Sequence, residues 1–159
     1  TRNPLERAHG SARWAQGDTV VLAAVYGPRP GTRKGENPEK ASVEVVWKPK
    51  TGQIGRQEKE YEMTLKRTLQ SICLLTVHPN TTTSVILQVM GDDGSLLPCA
   101  INASCAALVF AGVPMKHLAG CNWLRSVGRW CCDFGHKQGR RAAIEIVCSP
   151  GVPQFKQVC

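Results

Sequence analysis

The chain predicts an α+β sandwich, a mixed β-sheet with helices packed on it. Three observations predict this. Strand-like apolar segments recur at residues 11–26, 42–48 and 84–90. Helical apolar spacing appears at residues 58–75 and again from Pro98. Their order is hairpin, strand, helix, strand, helix, which places sheet on one side and helices on the other.

Residues 11–15 and 19–26 flank Gln16-Gly17-Asp18, a polar turn with a Gly for unusual dihedrals. They read as a hairpin. The second arm is continuously apolar from Val20 to Val25, which fits a strand covered on both faces. Residues 27–40 form a Pro/Gly/Lys loop without period. Residues 42–48 alternate, with Val43, Val45 and Trp47 on one face and Glu44 and Val46 on the other. A second loop, residues 50–56, contains Gly52 and Gly55.

From Glu58 to about Leu75, Tyr61, Leu65, Leu69 and Ile72 fall on one stripe at helical spacing. Pro79 stops that pattern. Gly91-Asp92-Asp93-Gly94 reads as a tight turn after the next strand. Pro98 suits the first turn of the second helix, where its missing N–H is not needed. Ile101, Cys105, Leu108 and Val109 are expected to mark its buried stripe, with Gly112 and Pro114 ending it.

At 159 residues the chain suffices for one domain that buries about two-thirds of its unfolded surface. Apolar residues at 42% and charged residues at 20% exclude a disordered polymer. No apolar run approaches the ~20 residues of a membrane span, and the polar, basic residues 1–10 do not fit a secretory signal. The net charge of +8 favours a polyanionic partner, nucleic acid being the usual one. Cys73, Cys99 and Cys105 sit in apolar or helical settings and read as small core residues in a reducing compartment.

Several ordered blocks resemble the RNase PH family. They are His9-Gly10-Ser11-Ala12 with Gln16 to Pro28, then Glu60 to Leu69, then Gln88 to Ser95 with Ala100 to Ala103. Asn37-Pro38-Glu39-Lys40 and Trp47 to Gly52 narrow the likeness to the family's members in the RNA exosome. The resemblance spans residues 5–119. It implies a ribosomal-protein-S5-domain-2-like fold and a place in a hexameric ring that RNA threads, with other RNase PH-like subunits or a second copy of the chain as neighbours. It implies a nuclear, nucleolar and cytoplasmic setting, and no membrane partner. Active members attack the 3′ end of RNA with inorganic phosphate, and many eukaryotic ring subunits keep the fold but lose that chemistry.

Phosphorolysis needs a basic track, a phosphate cradle and a carboxylic acid. For the track, the resemblance implies Arg56 and Gln57 in the Gly-rich loop, and Lys59, Lys66, Arg67 and Gln70 on the helix, all toward single-stranded RNA or DNA. A solvated helix face is the competing reading. For the cradle it implies Ser95, before the second helix, where free N–H groups attract anions; capping that helix is the alternative role. Active members follow this position with Arg, and here Leu96 stands instead. Asp92 and Asp93 read as turn residues and as weak candidates for a divalent cation. Nucleic-acid binding requires no cofactor; inorganic phosphate or Mg²⁺ would enter only with catalysis.

The texture changes at Gly120, dividing residues 1–119 from an atypical tail, residues 120–159. Trp123, Trp130 and five cysteines stand there among Arg and Gly without lasting period. Asp133 and Glu145 are its only acids, and neither fits the family's carboxylate pattern. Reading the tail one nucleotide out of frame turns Trp130 into Gly and Cys131 and Cys132 into Ala or Val. Residues 130–134 can then read Gly-Ala-Val-Ile-Leu, a buried strand. The stretch around Arg140-Arg141-Ala142-Ala143 can read Ala-Glu-Glu-Gln-Gln. Alternatively, Cys131, Cys132, His136 and Cys148 would ligate zinc, although they lack the usual paired spacing. Three functions stand open: an RNA-binding ring subunit with little phosphorolysis, an active phosphorolytic or metal-dependent hydrolytic nuclease working as a dimer, and a scaffold for neighbouring subunits.

Overall fold

The computed structural model describes residues 1, 3–30, 40–124, 129–134, 142–149 and 152–158, with side chains through Gly120. The predicted hairpin forms as β1, Gly10–Gln16, and β2, Thr19–Pro30. Gly17, at φ +60°, closes it. Strand β3, Ser42–Lys48, leads into helix α1, Arg56–Ile72. Strand β4, Thr81–Gly91, leads into helix α2, Leu96–Phe110. The first sheet has the order β1-β2-β4-β3. It is mixed: β3 runs parallel to β4, while β1, β2 and β4 pair antiparallel. The expected α+β sandwich is what these residues form.

The alternating strand behaves as its pattern predicts. Val43, Val45 and Trp47 are buried and Glu44 and Val46 are exposed. On α1, Leu65, Leu69 and Ile72 are fully buried, and Tyr61 stacks obliquely on Trp47 with ring centroids 5.6 Å apart. Each such aliphatic side chain contributes about 1.5–3 kcal/mol by leaving water. They join the buried residues of the first sheet and of α2 in one core.

Three expectations need correction. The strand before the first loop does not stop at Tyr26: Arg29 and Pro30 still pair with Thr82 and Thr81 across a register shift. Arg56 and Gln57 belong to the first turn of α1, not to the loop, because Gly55 takes the N-cap position. Val109 is 46% exposed and so is not part of a buried stripe. Helix α2 has no clean stripe, since residues from Leu97 to Cys105 are buried all round. It packs on β1 and β2 and also on the next strand, β5, Ala119–Leu124.

The His9-Gly10-Ser11 block has a physical basis. Gly10 lies against the end of α2, where a Cβ would overlap backbone atoms of Ala107 and Ala111. Buried Ser11 receives the Leu5 N–H on its hydroxyl, 3.0 Å, and donates its own N–H to Asn3 Oδ1, 3.0 Å. His9 Nδ1 accepts the Gly27 N–H at 3.3 Å.

The segment beyond Gly120, without readable period in sequence, nevertheless carries extended backbone. Strand β5 pairs antiparallel with β6, Arg129–Phe134. Strands β7, Ala142–Ser149, and β8, Val152–Val158, complete a second sheet in the order β5-β6-β7-β8. The zinc set Cys131, Cys132, His136 and Cys148 lies outside the residues whose side chains are described.

Candidate nucleic-acid interface

The topology gathers the helix starts at one end of the first sheet. Parallel pairing of Lys48 with Gln88 brings the carboxyl ends of β3 and β4 together. The loop entering α1 and the turn entering α2 therefore leave from the same end. The Gln88 side chain ties them, donating to the Pro49 carbonyl at 3.1 Å. The hairpin turn joins them there, since a Cβ on Gly91 would sit 2.7 Å from the Asp18 carbonyl oxygen. Open sheets with strand–helix crossovers bind ligands at such carboxyl ends.

Helix α1 carries the basic residues. Arg56, Gln57, Lys59, Lys66 and Arg67 are exposed, and Gln70 is half-buried. At about 100° per residue, Lys66, Lys59, Gln70, Arg56 and Arg67 fall in that order on an arc of about 100°. Exposed Met63 lies within the arc and the buried Leu65–Ile72 stripe opposite it. Gln57 lies off the arc, toward the buried side, so the structure separates it from the other five. Arg56 and Lys59 stand near the shared sheet end. Gln70 stands about 20 Å farther along the axis from Arg56, at ~1.5 Å per residue.

Just beyond the arc's edge, Glu60 approaches Arg56 with Nε to Oε1 at 3.5 Å, the side chains 95% and 41% exposed. Such an exposed pair is worth at most about 1 kcal/mol and leaves the guanidinium available. Glu58 lies in the first turn, where it favours the helix dipole but opposes an approaching anion.

At the α2 turn, Ser95 occupies the N-cap position but its side chain makes no cap hydrogen bond. Its hydroxyl donates to Thr19 Oγ1 at 3.1 Å instead. The Asp93 N–H donates to the same oxygen at 3.0 Å. Asp92 Oδ1 accepts the Gly94 N–H at 2.9 Å, the turn role expected of it. Asp92 and Asp93 are both exposed. Among the described residues no group of three or more His, Cys, Asp or Glu side chains gathers as a metal site. The turn holds two carboxylates and no cation of its own, so it is a poor anion cradle apart from the helix start. Leu96 is half-buried against the core.

Residues 1–114 match the family model described as 3′ exoribonuclease family, domain 1. The chain belongs to that RNase PH family. It is 87% identical over 127 residues to the exosome complex exonuclease RRP46 homolog of Oryza sativa subsp. japonica, covering 78% of this chain and 53% of that protein. It is 76% identical over 119 residues to the Arabidopsis thaliana exosome complex exonuclease RRP46 homolog, covering 75% and 50%. The crystal structure of rice Rrp46 superposes with a TM-score of 0.76 at 68% identity, over 100% of this chain and 79% of that one. The chain spans about half the length of these two curated relatives. Sequence reasoning named the basic residues of the shared sheet end but missed Thr19, a fully buried residue with no motif of its own.

Proposed function

We propose that this chain is an RNA-binding, RNase PH-like subunit of the RNA exosome, acting in 3′–5′ RNA processing and degradation, including that of ribosomal RNA. The exposed arc of Arg56, Lys59, Lys66 and Arg67 is the observation that carries it. The arc starts at the sheet end where the helix N-termini converge, and it presents cations with no buried partner to a phosphate backbone. Gln70 extends the arc with a neutral donor, and Gln57, in the first turn of α1, stands off the arc. The names of the RRP46 relatives support assembly with other RNase PH-like subunits, and we place that assembly in the nucleus, nucleolus and cytoplasm on the family resemblance alone. Leu96, in place of a guanidinium, supports little phosphorolysis by this chain.

The test is incubation of single-stranded RNA with the protein, with and without phosphate and Mg²⁺. Intact but bound RNA is expected, the complex weakening as salt rises. Nucleoside diphosphates would reveal phosphorolysis and monophosphates hydrolysis. Absence of binding at low salt would reduce the chain to a scaffold.

A further inference from the structure

The two rice comparisons differ in span but not in identities. At 87% of 127 positions and at 68% of the 159-residue chain, both amount to about 110 identical residues. Extending the comparison through the last part of the chain adds almost none. A protein this similar over 78% of the chain does not lose nearly all identity in the remainder by gradual substitution. The family model ends at residue 114, close to the change of texture after Gly120.

The least degenerate codons of the tail say what else the nucleotides encode. Read one nucleotide downstream, Trp130 followed by Cys131 yields Gly without exception. Cys131 and Cys132 each yield Ala or Val, Asp133 yields Ile or Thr, and Phe134 yields Leu or Ser. This is a small and β-branched run suited to a buried strand. The codons of Lys137 and Gln138 give Asn or Ser and then Lys or Arg. Those of Arg140 and Arg141 admit acids.

The fold supplies a seat for such a strand. A groove of about 420 Å³ lies between α2, β1 and the start of β5, lined by Trp14, Cys105, Val109, Phe110, Leu118 and Gly120 among others. Trp14, Val109 and Leu118 are 40%, 46% and 57% exposed. Three large apolar side chains around one groove mark a surface built to be covered. The β5–β6 register places positions 133 and 134 opposite Gly120 and Ala119, at the wall of that groove. In the present frame position 133 is an Asp; one nucleotide downstream it is Ile or Thr.

We infer that the tail is the family's continuation translated one nucleotide out of frame, and that the strand encoded downstream under Trp130–Phe134 is the occupant of the α2 groove. This rests on family membership and not on the RNA-binding reading, so failure to bind RNA leaves it untouched. The first measurement is the transcript sequence through the codons of residues 115–145. The downstream frame is expected to be open, to carry Gly-(Ala/Val)-(Ala/Val)-(Ile/Thr)-(Leu/Ser), and to restore identity to rice RRP46 to the level of the 127-residue alignment. A stop codon there, or identity no better than the present tail's, overturns the frame. The second compares the chain as it is with the same chain carrying the downstream-frame tail, by hydrogen exchange of residues 102–120. Exchange at least tenfold slower with the downstream tail is expected. Equal exchange with both tails overturns the groove as the seat of that strand.

Discussion

The basic arc on α1 can be tested by counting charges rather than by a single loss of affinity. Arg56, Lys59, Lys66 and Arg67 are exposed, and only Arg56 has a carboxylate at ion-pair distance among the described residues. If each neutralises one phosphate of a single strand, the slope of log affinity against log salt is roughly −2.8, at ~0.7 per contact. Raising salt from about 50 to about 200 mM then weakens binding roughly 50-fold. Removing one cation, as in Arg67→Ala, lowers the slope to about −2.1 and the loss to roughly 20-fold. Fluorescence anisotropy of a labelled oligoribonucleotide at five or six salt concentrations resolves these slopes. Arg13→Ala is the control. It removes an exposed cation from edge strand β1, at the far side of the sheet from β3 and α1. Gln57→Ala, off the arc, is expected to leave the slope unchanged. Equal slopes for the parent protein, Arg67→Ala and Lys66→Ala would show that this face is merely solvated.

Other consequences concern the core. In Gly10→Ala the new methyl would lie 2.8 Å from Ala111 Cα and nearer still to Ala107 O and Ala111 N, all backbone. Overpacking that no rotamer relieves should cost on the order of 3 kcal/mol, read as a fall in urea midpoint at constant slope. Leu69→Ala, at a fully buried position in the core, should cost about 2–5 kcal/mol in the same assay. Burial pushes the Cys73, Cys99 and Cys105 thiols up from 9.0 to about 11. Held as thiols, they should resist alkylation near pH 8 until the protein unfolds, as peptide-resolved labelling would show. Their linkage has one sign: the unfolded chain releases these protons first, so stability present below pH 9 falls as pH rises through 11.

What the sequence reveals of this fold follows the strength of its local periods. Strand β3 and helix α1 carry unambiguous period-two and helical patterns because each has one wet face; β3 forms on the residues its pattern marks, while α1 keeps the predicted stripe but ends at Ile72, short of Leu75. Helix α2 sits between the first sheet and β5, so its apolar residues surround the axis and no stripe can identify Val109 as exposed. The start of α1 hides for a different reason. Gly55 holds the N-cap position, and Gly between two loop-like residues signals a turn as readily as a cap. Residue type and charge mark a basic helix face, and only the family resemblance turns that face into an RNA track. Sorting its residues needed the helix start, because the angular position of Gln57 follows from where the first turn begins. Beyond the β1–β2 hairpin, strand order was not legible. Parallel β3–β4 pairing, which brings both helix N-termini to one end, arises from long-range packing that no local pattern encodes.

The α2 turn yields the sharpest test of why a nuclease fold would bind without cutting. Its helix start offers N–H groups and a positive dipole end, and Ser95 leaves them uncapped by its side chain. Against these stand exposed Asp92 and Asp93, and Leu96 in place of a cation. In Leu96→Arg, a guanidinium enters at a half-buried position, so the head can reach solvent while the stem keeps part of the apolar contact. A charge-assisted contact to phosphate contributes about 1.5–3 kcal/mol, roughly a 10- to 100-fold gain in affinity. Titration calorimetry with inorganic phosphate should show that gain, and added NaCl should weaken it. No phosphorolysis should follow, because the resemblance implies a carboxylic acid beyond the second helix, where Asp133 and Glu145 do not match that pattern, and Asp92 and Asp93 belong to the turn itself. A folded Leu96→Arg protein with unchanged phosphate affinity would show that the two turn carboxylates, not the missing arginine, close this site to anions.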